Sequence, residues 1–439
     1  MALDMKKKIK IVFAGVLFCV LFVGCGKLLR YMLTDDTASY TRIAFHEMYQ
    51  QDNIDVLFVG SSHCYRSFIP DILDQQLGKN TFNLGTSSQY LDGSFMAIQE
   101  AARYHEIEHI YLELYYNVSF SVNKQRTELT PVYIISDYLK PSVEKLRYML
   151  NASTKDYYAN SFILARRNWT KLFDADYVKD LLIKKQTDSY KNYEYDYVTG
   201  KNEWYDGKGY VANRLAVEDW NYFTKLETEH IDLSAVSDDW RKTLDDIISF
   251  CRRKNISLTL VTAPMSNFML SNYTNYDEYV QMVQDIVAGT DVKYYDFNLC
   301  REEYFPNASE LFKDHDHLNC YGAEKFSYLF ADFVNGKITE QELFYPSFEE
   351  KKKEIEPGAF GIAFRDREDD IRECRVVSNR NQGMEYRITL KPAKGKKRLI
   401  QDFSENRLFS ITPDDHGVCT VQYRLKSHPD KVHKIKISY

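Results

Sequence analysis

Val56-Leu57-Phe58-Val59-Gly60-Ser61-Ser62-His63 is the stretch whose reading decides the fold. Four apolar residues in succession, rich in Val and Phe, predict a fully buried strand. Gly60 and two serines end it abruptly. Pro70, in Ile69-Pro70-Asp71-Ile72-Leu73, marks where a helix can begin. A buried strand, a small-residue turn and a helix place a side chain at the carboxyl end of a sheet. Open α/β sheets bind their ligands there. One of the two serines is therefore a candidate nucleophile, and it needs a base from elsewhere in the chain.

The same rhythm continues outward from this stretch. Thr81-Phe82-Asn83-Leu84 reads as a short strand, followed by a second small-residue turn, Gly85-Thr86-Ser87-Ser88. Residues 93–104 place Phe95, Ile98, Ala101 and Ala102 on one helix face. Residues 110–115 read as a third strand that ends at Tyr116-Asn117. Further on, residues 256–261 and 292–297 read as strands, with helices before, between and after them. Regular alternation predicts a parallel sheet with right-handed crossovers and helices on both faces. This α/β domain spans residues 34–345, interrupted at about 119–233 by a mostly helical, tyrosine-rich insertion. An insertion of that size builds either a lid over the site or a structural side-lobe.

Beyond a charged connector, residues 357–439 switch to short alternating strands between Gly, Asn, Pro and Asp, predicting a small antiparallel β-sandwich. From Lys351 onward the net charge is about +7, leaving about −13 on the rest. A basic module on an acidic body suits an anionic wall polymer, and equally a solvated basic face. The chain's net charge of −6 gives no reason to expect nucleic acid. The 34 tyrosines suit half-buried surfaces, whether polar cores or sugar clefts. Tyr157, Tyr158, Tyr190 and Tyr205 are the ones to consider for sugar stacking, though most insertion tyrosines are expected in the core.

At the N-terminus, Lys6-Lys7-Lys8 and Lys10 precede an uncharged run from Ile11 to Gly26. It reaches the length of a membrane span of about 20 residues if Lys27 snorkels to the interface. Residues 1–33 are read first as an uncleaved signal anchor. A cleaved signal peptide and a lipoprotein signal ending at Cys25 are the alternatives. The basic flank predicts an extracytoplasmic body. Eight cysteines in 439 residues make no disulfide scaffold, although Cys374 and Cys419 both fall near the C-terminal end and could pair there.

Asp314 and His317 are the strongest partners for a nucleophilic serine. Two intervening residues let the Asp314 carboxylate turn back to the His317 ring. It would hold one tautomer while the imidazole takes the serine proton. Oxyanion donors are expected in the turns that follow neighbouring strands, at Gly85 to Ser88 and at the Asn117 amide. His63, next to Ser62, could contact an acyl group or simply be placed there by the turn. Cys64 is expected to be packing. Asp314, His315, Asp316 and His317 carry metal-ligating groups, but consecutive residues seldom converge on one ion, and neither a metal nor a cofactor is expected.

These residues resemble the SGNH/GDSL hydrolase superfamily. Its Gly-Asp-Ser block matches Gly60-Ser61-Ser62, which makes Ser62 the nucleophile. Its Asn-x-Gly-x-x-Gly block matches Asn83-Leu84-Gly85-Thr86-Ser87-Ser88, with Ser88 where the second glycine is expected. Its Gly-x-Asn block keeps Asn117 and loses the glycine. Its Asp-x-x-His block matches Asp314 to His317. The resemblance implies a flavodoxin-like SGNH sheet, a Ser62–His317–Asp314 triad, and Ser88, Gly85 and Asn117 as the oxyanion hole. Ser61 in place of Asp, the anchor, the insertion and the β-module make the chain more similar to a membrane-anchored branch. That branch includes the teichoic-acid D-alanylation protein D and the alginate O-acetylation proteins. It implies an O-acyltransferase or esterase acting on acyl esters of a cell-surface polysaccharide, beside a membrane-bound O-acyltransferase partner. The alternative is a non-catalytic glycan-binding or assembly protein of the cell envelope.

Overall fold

A computed structural model describes residues 2–116, 124–194, 202–217, 222–225, 230–380 and 382–439. Asn117 lies outside the described residues. The strand at Val56–Val59 (β1) is fully buried, as its unbroken apolar run requires. It pairs in parallel with Thr81–Asn83 (β2) on one side and His109–Glu113 (β3) on the other. A hairpin, Glu203–Gly207 (β4) and Tyr210–Asn213 (β5), and a strand at Tyr222–Lys225 (β6) belong to the insertion. Ser257–Thr262 (β7) and Lys293–Asp296 (β8) complete a five-stranded parallel sheet in the order β2-β1-β3-β7-β8.

Both faces of this sheet are buried. Leu57, Val59, Ile110, Leu112, Leu258 and Leu260 point into one apolar core, and Val56, Phe58, Tyr111 and Val261 point into the other. Period-two alternation of uniformly apolar residues is what a strand covered by helices on both sides needs. On the first face lie helices Leu91–Ala101, Asp238–Lys254 and Tyr276–Val287; on the second lies Cys320–Val334.

The insertion is less helical than its sequence suggests. Residues 157–172 read as one helix, but the chain forms a short helix, Tyr158–Phe162, and then a kinked 3-10 run, Leu164–Phe173. Asn168 leaves helical geometry inside that run, and its amide donates to the Leu33 carbonyl at 3.0 Å. A tertiary bond has redirected a locally amphipathic segment.

The C-terminal strands also depart from expectation. Ala359–Asp366 (β9), Arg372–Ser378 (β10), Met384–Pro392 (β11), Arg398–Ser404 (β12), Leu408–Ile411 (β13), Gly417–Leu425 (β14) and His433–Ser438 (β15) do not form two separate sheets. They join β6 in a single eight-stranded sheet ordered β12-β11-β14-β15-β6-β9-β10-β13. Residues from β9, β10, β11, β13, β14 and β15 share one apolar cluster, so this sheet curls around its own core. Two pairings, β15–β6 and β6–β9, are parallel. Cys374 and Cys419 both enter that core as free thiols, and no disulfide occurs among the described residues.

A single helix, Ala2–Leu33 (α1), covers the whole N-terminal run and continues beyond the Ile11–Gly26 core, and a second helix, Tyr40–Met48 (α2), follows it before β1. The Lys7–Leu33 portion of α1 holds an 18-residue window of mean hydropathy 2.4 and is long and apolar enough to cross a membrane.

Candidate active site

Ser61 caps the short helix Ser62–Ser67 (α3), its hydroxyl accepting from the His63 N–H at 3.2 Å. That cap fixes Ser62 as the first helical residue, at the carboxyl end of β1, with its amide among those a helix start leaves unpartnered. The Ser62 Oγ lies 2.8 Å from His317 Nε2. His317 Nδ1 lies 3.0 and 3.2 Å from the two Asp314 oxygens. Asp314 Oδ1 also accepts from the backbone N–H groups of Asp316 and His317, which closes the loop into the turn the spacing implied. Burial opposes ionisation of Asp314. His317 and the Lys313 ammonium, 2.9 Å away, outweigh it and hold the carboxyl well below the usual carboxylate range. Ser62 and an Asp–His pair whose histidine lies 255 positions from it thus form one hydrogen-bonded line.

The turn carrying Ser62 is held from beneath by Glu113 at the end of β3. Its Oε2 accepts from both the Ser61 N–H and the Ser61 hydroxyl at 2.8 Å. Burial raises the Glu113 pKa to about 7, against the lowering effect of those two bonds. Gly60 must be glycine here. A Cβ would sit 2.6 Å from the Glu113 side chain, and the backbone has φ +157°. Sequence reasoning passed over Glu113. An acidic residue inside the apolar run Ile110 to Leu114 was its one visible signal.

His63 is buried and stacks between Tyr115 and His317, with ring centroids 4.0 and 4.5 Å away. Its Nε2 has no hydrogen-bond partner. Burial, then the neighbouring His317, lower its pKa well below that of a free imidazole. Tyr115 also reaches Asp316 with its hydroxyl at 3.4 Å. His63, Asp316 and His317 bring ligand-type atoms within 4.8 Å of one another, yet both ring nitrogens of His317 already face Ser62 and Asp314.

The oxyanion expectations fare unevenly. Gly85 packs directly against the turn that carries Ser62, where a Cβ would come within 3.0 Å of the Ser61 carbonyl. Its N–H, however, donates to Asn83 Oδ1 at 2.9 Å, so that amide is spent on holding its own turn. Ser88 is exposed on the same turn at φ +51°. Asn117 is outside the described residues. Cys64 is buried, its Sγ donating to Asn83 Oδ1 at 3.3 Å, and burial keeps its thiol protonated.

The insertion frames this site. The β4–β5 turn docks on β2, the Asn83 N–H donating to the Lys208 carbonyl at 2.9 Å. Arg66 of α3 pairs with Glu203 at 2.5 Å and donates to the Val211 carbonyl. On the other side, the Asn319 amide donates to the Leu215 carbonyl, and the Val217 N–H to that of Phe312. Of the tyrosines considered for sugar stacking, Tyr205 bonds Glu47 and Tyr190 stacks on Arg42, so both serve the framework.

No protein-family model matches the chain, and no curated protein matches it. Among solved structures, a protein from Streptococcus pneumonia, provisionally described as a platelet activating factor, shares 13% identity with a TM-score of 0.32. The match covers 71% of this chain and 99% of that one. A likeness this slight carries no argument about chemistry, which rests on the site itself.

Proposed function

We propose that this chain is a membrane-anchored, extracytoplasmic serine acyl-transfer enzyme of SGNH-like architecture, an O-acyltransferase or esterase working on acyl esters of cell-surface glycans. The observation that carries this reading is the continuous line Ser62 Oγ–His317 Nε2–Asp314 at hydrogen-bond distances. The β2-β1-β3-β7-β8 order agrees with it, being that of flavodoxin-like sheets.

Ser62 Oγ attacks the ester carbonyl while His317 Nε2 takes its proton. Asp314 stabilises the imidazolium. The Ser62 N–H, in the first turn of α3, is one donor to the oxyanion, with the Ser88 amide and Asn117 as the expected others. The C–O bond breaks and the alcohol leaves with the proton from His317. An acceptor hydroxyl, from a glycan or from water, then gives its proton to His317 and attacks the acyl carbon; the Ser62 Oγ–acyl bond breaks, and Oγ takes the proton back from His317.

The test is acyl-enzyme capture. Detergent-solubilised protein treated with p-nitrophenyl acetate should gain one acetyl group by mass spectrometry, and Ser62→Ala should gain none. An adduct that persists in the variant, or no adduct at all, defeats the assignment. Adding a xylan or teichoic-acid fragment separates transfer from hydrolysis.

A further inference from the structure

We infer that an exposed apolar face of the insertion, built from Phe162, Ile163, Trp169, Leu172, Phe173 and Ile183, lies in the surface of an anionic phospholipid bilayer beside the exit of α1. The inference rests on reading α1 as a membrane anchor.

The foot of α1 is clasped by two insertion segments. Asn168 donates to the Leu33 carbonyl at 3.0 Å. The Lys185 ammonium, buried in the helix Ala175–Gln186, donates to the Tyr31 and Thr34 carbonyls at 2.9 and 2.6 Å and pairs with Asp36 at 3.1 Å. Arg167 forms a two-pronged pair with Asp137, whose carbonyl accepts from Arg30. The segments that carry the face are therefore fixed at the point where the apolar helix ends.

The helix Ala175–Gln186 turns Leu181 and Lys185 inward. Trp169 is 59% exposed, Phe173 79% and Ile183 56%, in a region where large apolar side chains have no covering partner among the described residues. Trp169 and Phe173 meet edge to face, with centroids 6.4 Å apart. Trp and Phe beside apolar residues at the end of a spanning helix is the composition of a membrane interface. Charge agrees. Between Lys155 and Lys185, with Arg167 and Lys185 set aside as paired inside the protein, five basic residues stand against four acidic ones, in a chain whose net charge is −6. Continuity with α1 and this basic excess favour lipid over a protein partner.

The test uses the full chain in vesicles of phosphatidylglycerol and bromine-labelled phosphatidylcholine. Bromine quenches tryptophans that enter the acyl boundary. The wild type should show a quenched component that Trp169→Phe loses, while thermal unfolding stays unchanged. Phe173→Asp with Ile183→Asp should diminish quenching of Trp169. Alkaline carbonate extraction, run in parallel, reports on the anchor. Protein that resists extraction but quenches equally with and without Trp169 overturns the proposal, leaves the anchor intact and gives the face to a protein partner. Protein that carbonate removes overturns both.

Discussion

His63 lies flat on His317, their ring centroids 4.5 Å apart and their planes 23° from parallel. The proposed acyl transfer would form an imidazolium on His317, and a second charge stacked on it would oppose that step. Burial and His317 itself keep His63 neutral, so the stack supports the ring without competing for the proton. In the proposed reaction its unpartnered Nε2, buried in the free protein, would meet the acyl ester once substrate is bound. His63→Phe keeps the stack and removes that nitrogen. Loss of one neutral hydrogen bond should raise KM by about three- to tenfold with kcat nearly unchanged. A KM equal to the wild type would reduce His63 to packing.

Ser62, His317 and Asp314 should fail as a unit. Ser62→Ala and His317→Ala should each remove almost all esterase turnover, and the double variant should be no worse than either alone. Asp314→Asn should lower kcat by on the order of 10^4-fold through the wrong tautomer, with the fold preserved. Steady-state rates on p-nitrophenyl acetate read all four variants, and additive losses would dissolve the triad.

Glu113 makes stability depend on pH. Its folded pKa of about 7 exceeds the ordinary 4.5, so the native state holds a proton that the unfolded chain releases. Stability therefore falls as pH rises from about 4.5 to about 7, by on the order of 3 kcal/mol at most. Glu113→Gln keeps an acceptor for Ser61 and cannot ionise. Denaturant midpoints should match the wild type at pH 4.5 and exceed it at pH 8. Parallel curves across that range would refute the idea.

Gly209 sits at φ +85°, and a Cβ there would lie 1.7 Å from the Asn83 carbonyl oxygen. Gly209→Ala must push the hairpin off β2. We expect a loss of at least about 2 kcal/mol in urea unfolding. Acyl-enzyme formation should fall with it, because Asn83 also holds α3 through bonds to the Cys64 and Phe68 carbonyls. A neutral substitution would mean the hairpin can stand away from the sheet.

Local pattern made part of this readable. The buried run Val56 to Val59 and the turn after it follow from composition, and the Asp314–His317 spacing closes a loop within four residues. Glu113 was not readable, because its role is a contact between two strand ends whose pairing is long-range. Nor was the loss of the Gly85 amide to Asn83, since any turn amide looks available until its partner is placed. The break at Asn168 came from a bond to Leu33, 135 residues earlier, that no local periodicity contains.

Strand β6 has a consequence for how the chain is made. It lies between β9 and β15, so it emerges from the ribosome more than a hundred residues before either neighbour exists. Among the described residues its pairing with β15 is that of Tyr222 with Ser438, and Tyr439 is itself paired with Gly417. Until β15 has been synthesised, that side of β6 remains an open edge able to recruit the wrong strand. A chain cut before β15 would keep β6 on β9 and leave its other side open, so the module closes only when β15 docks.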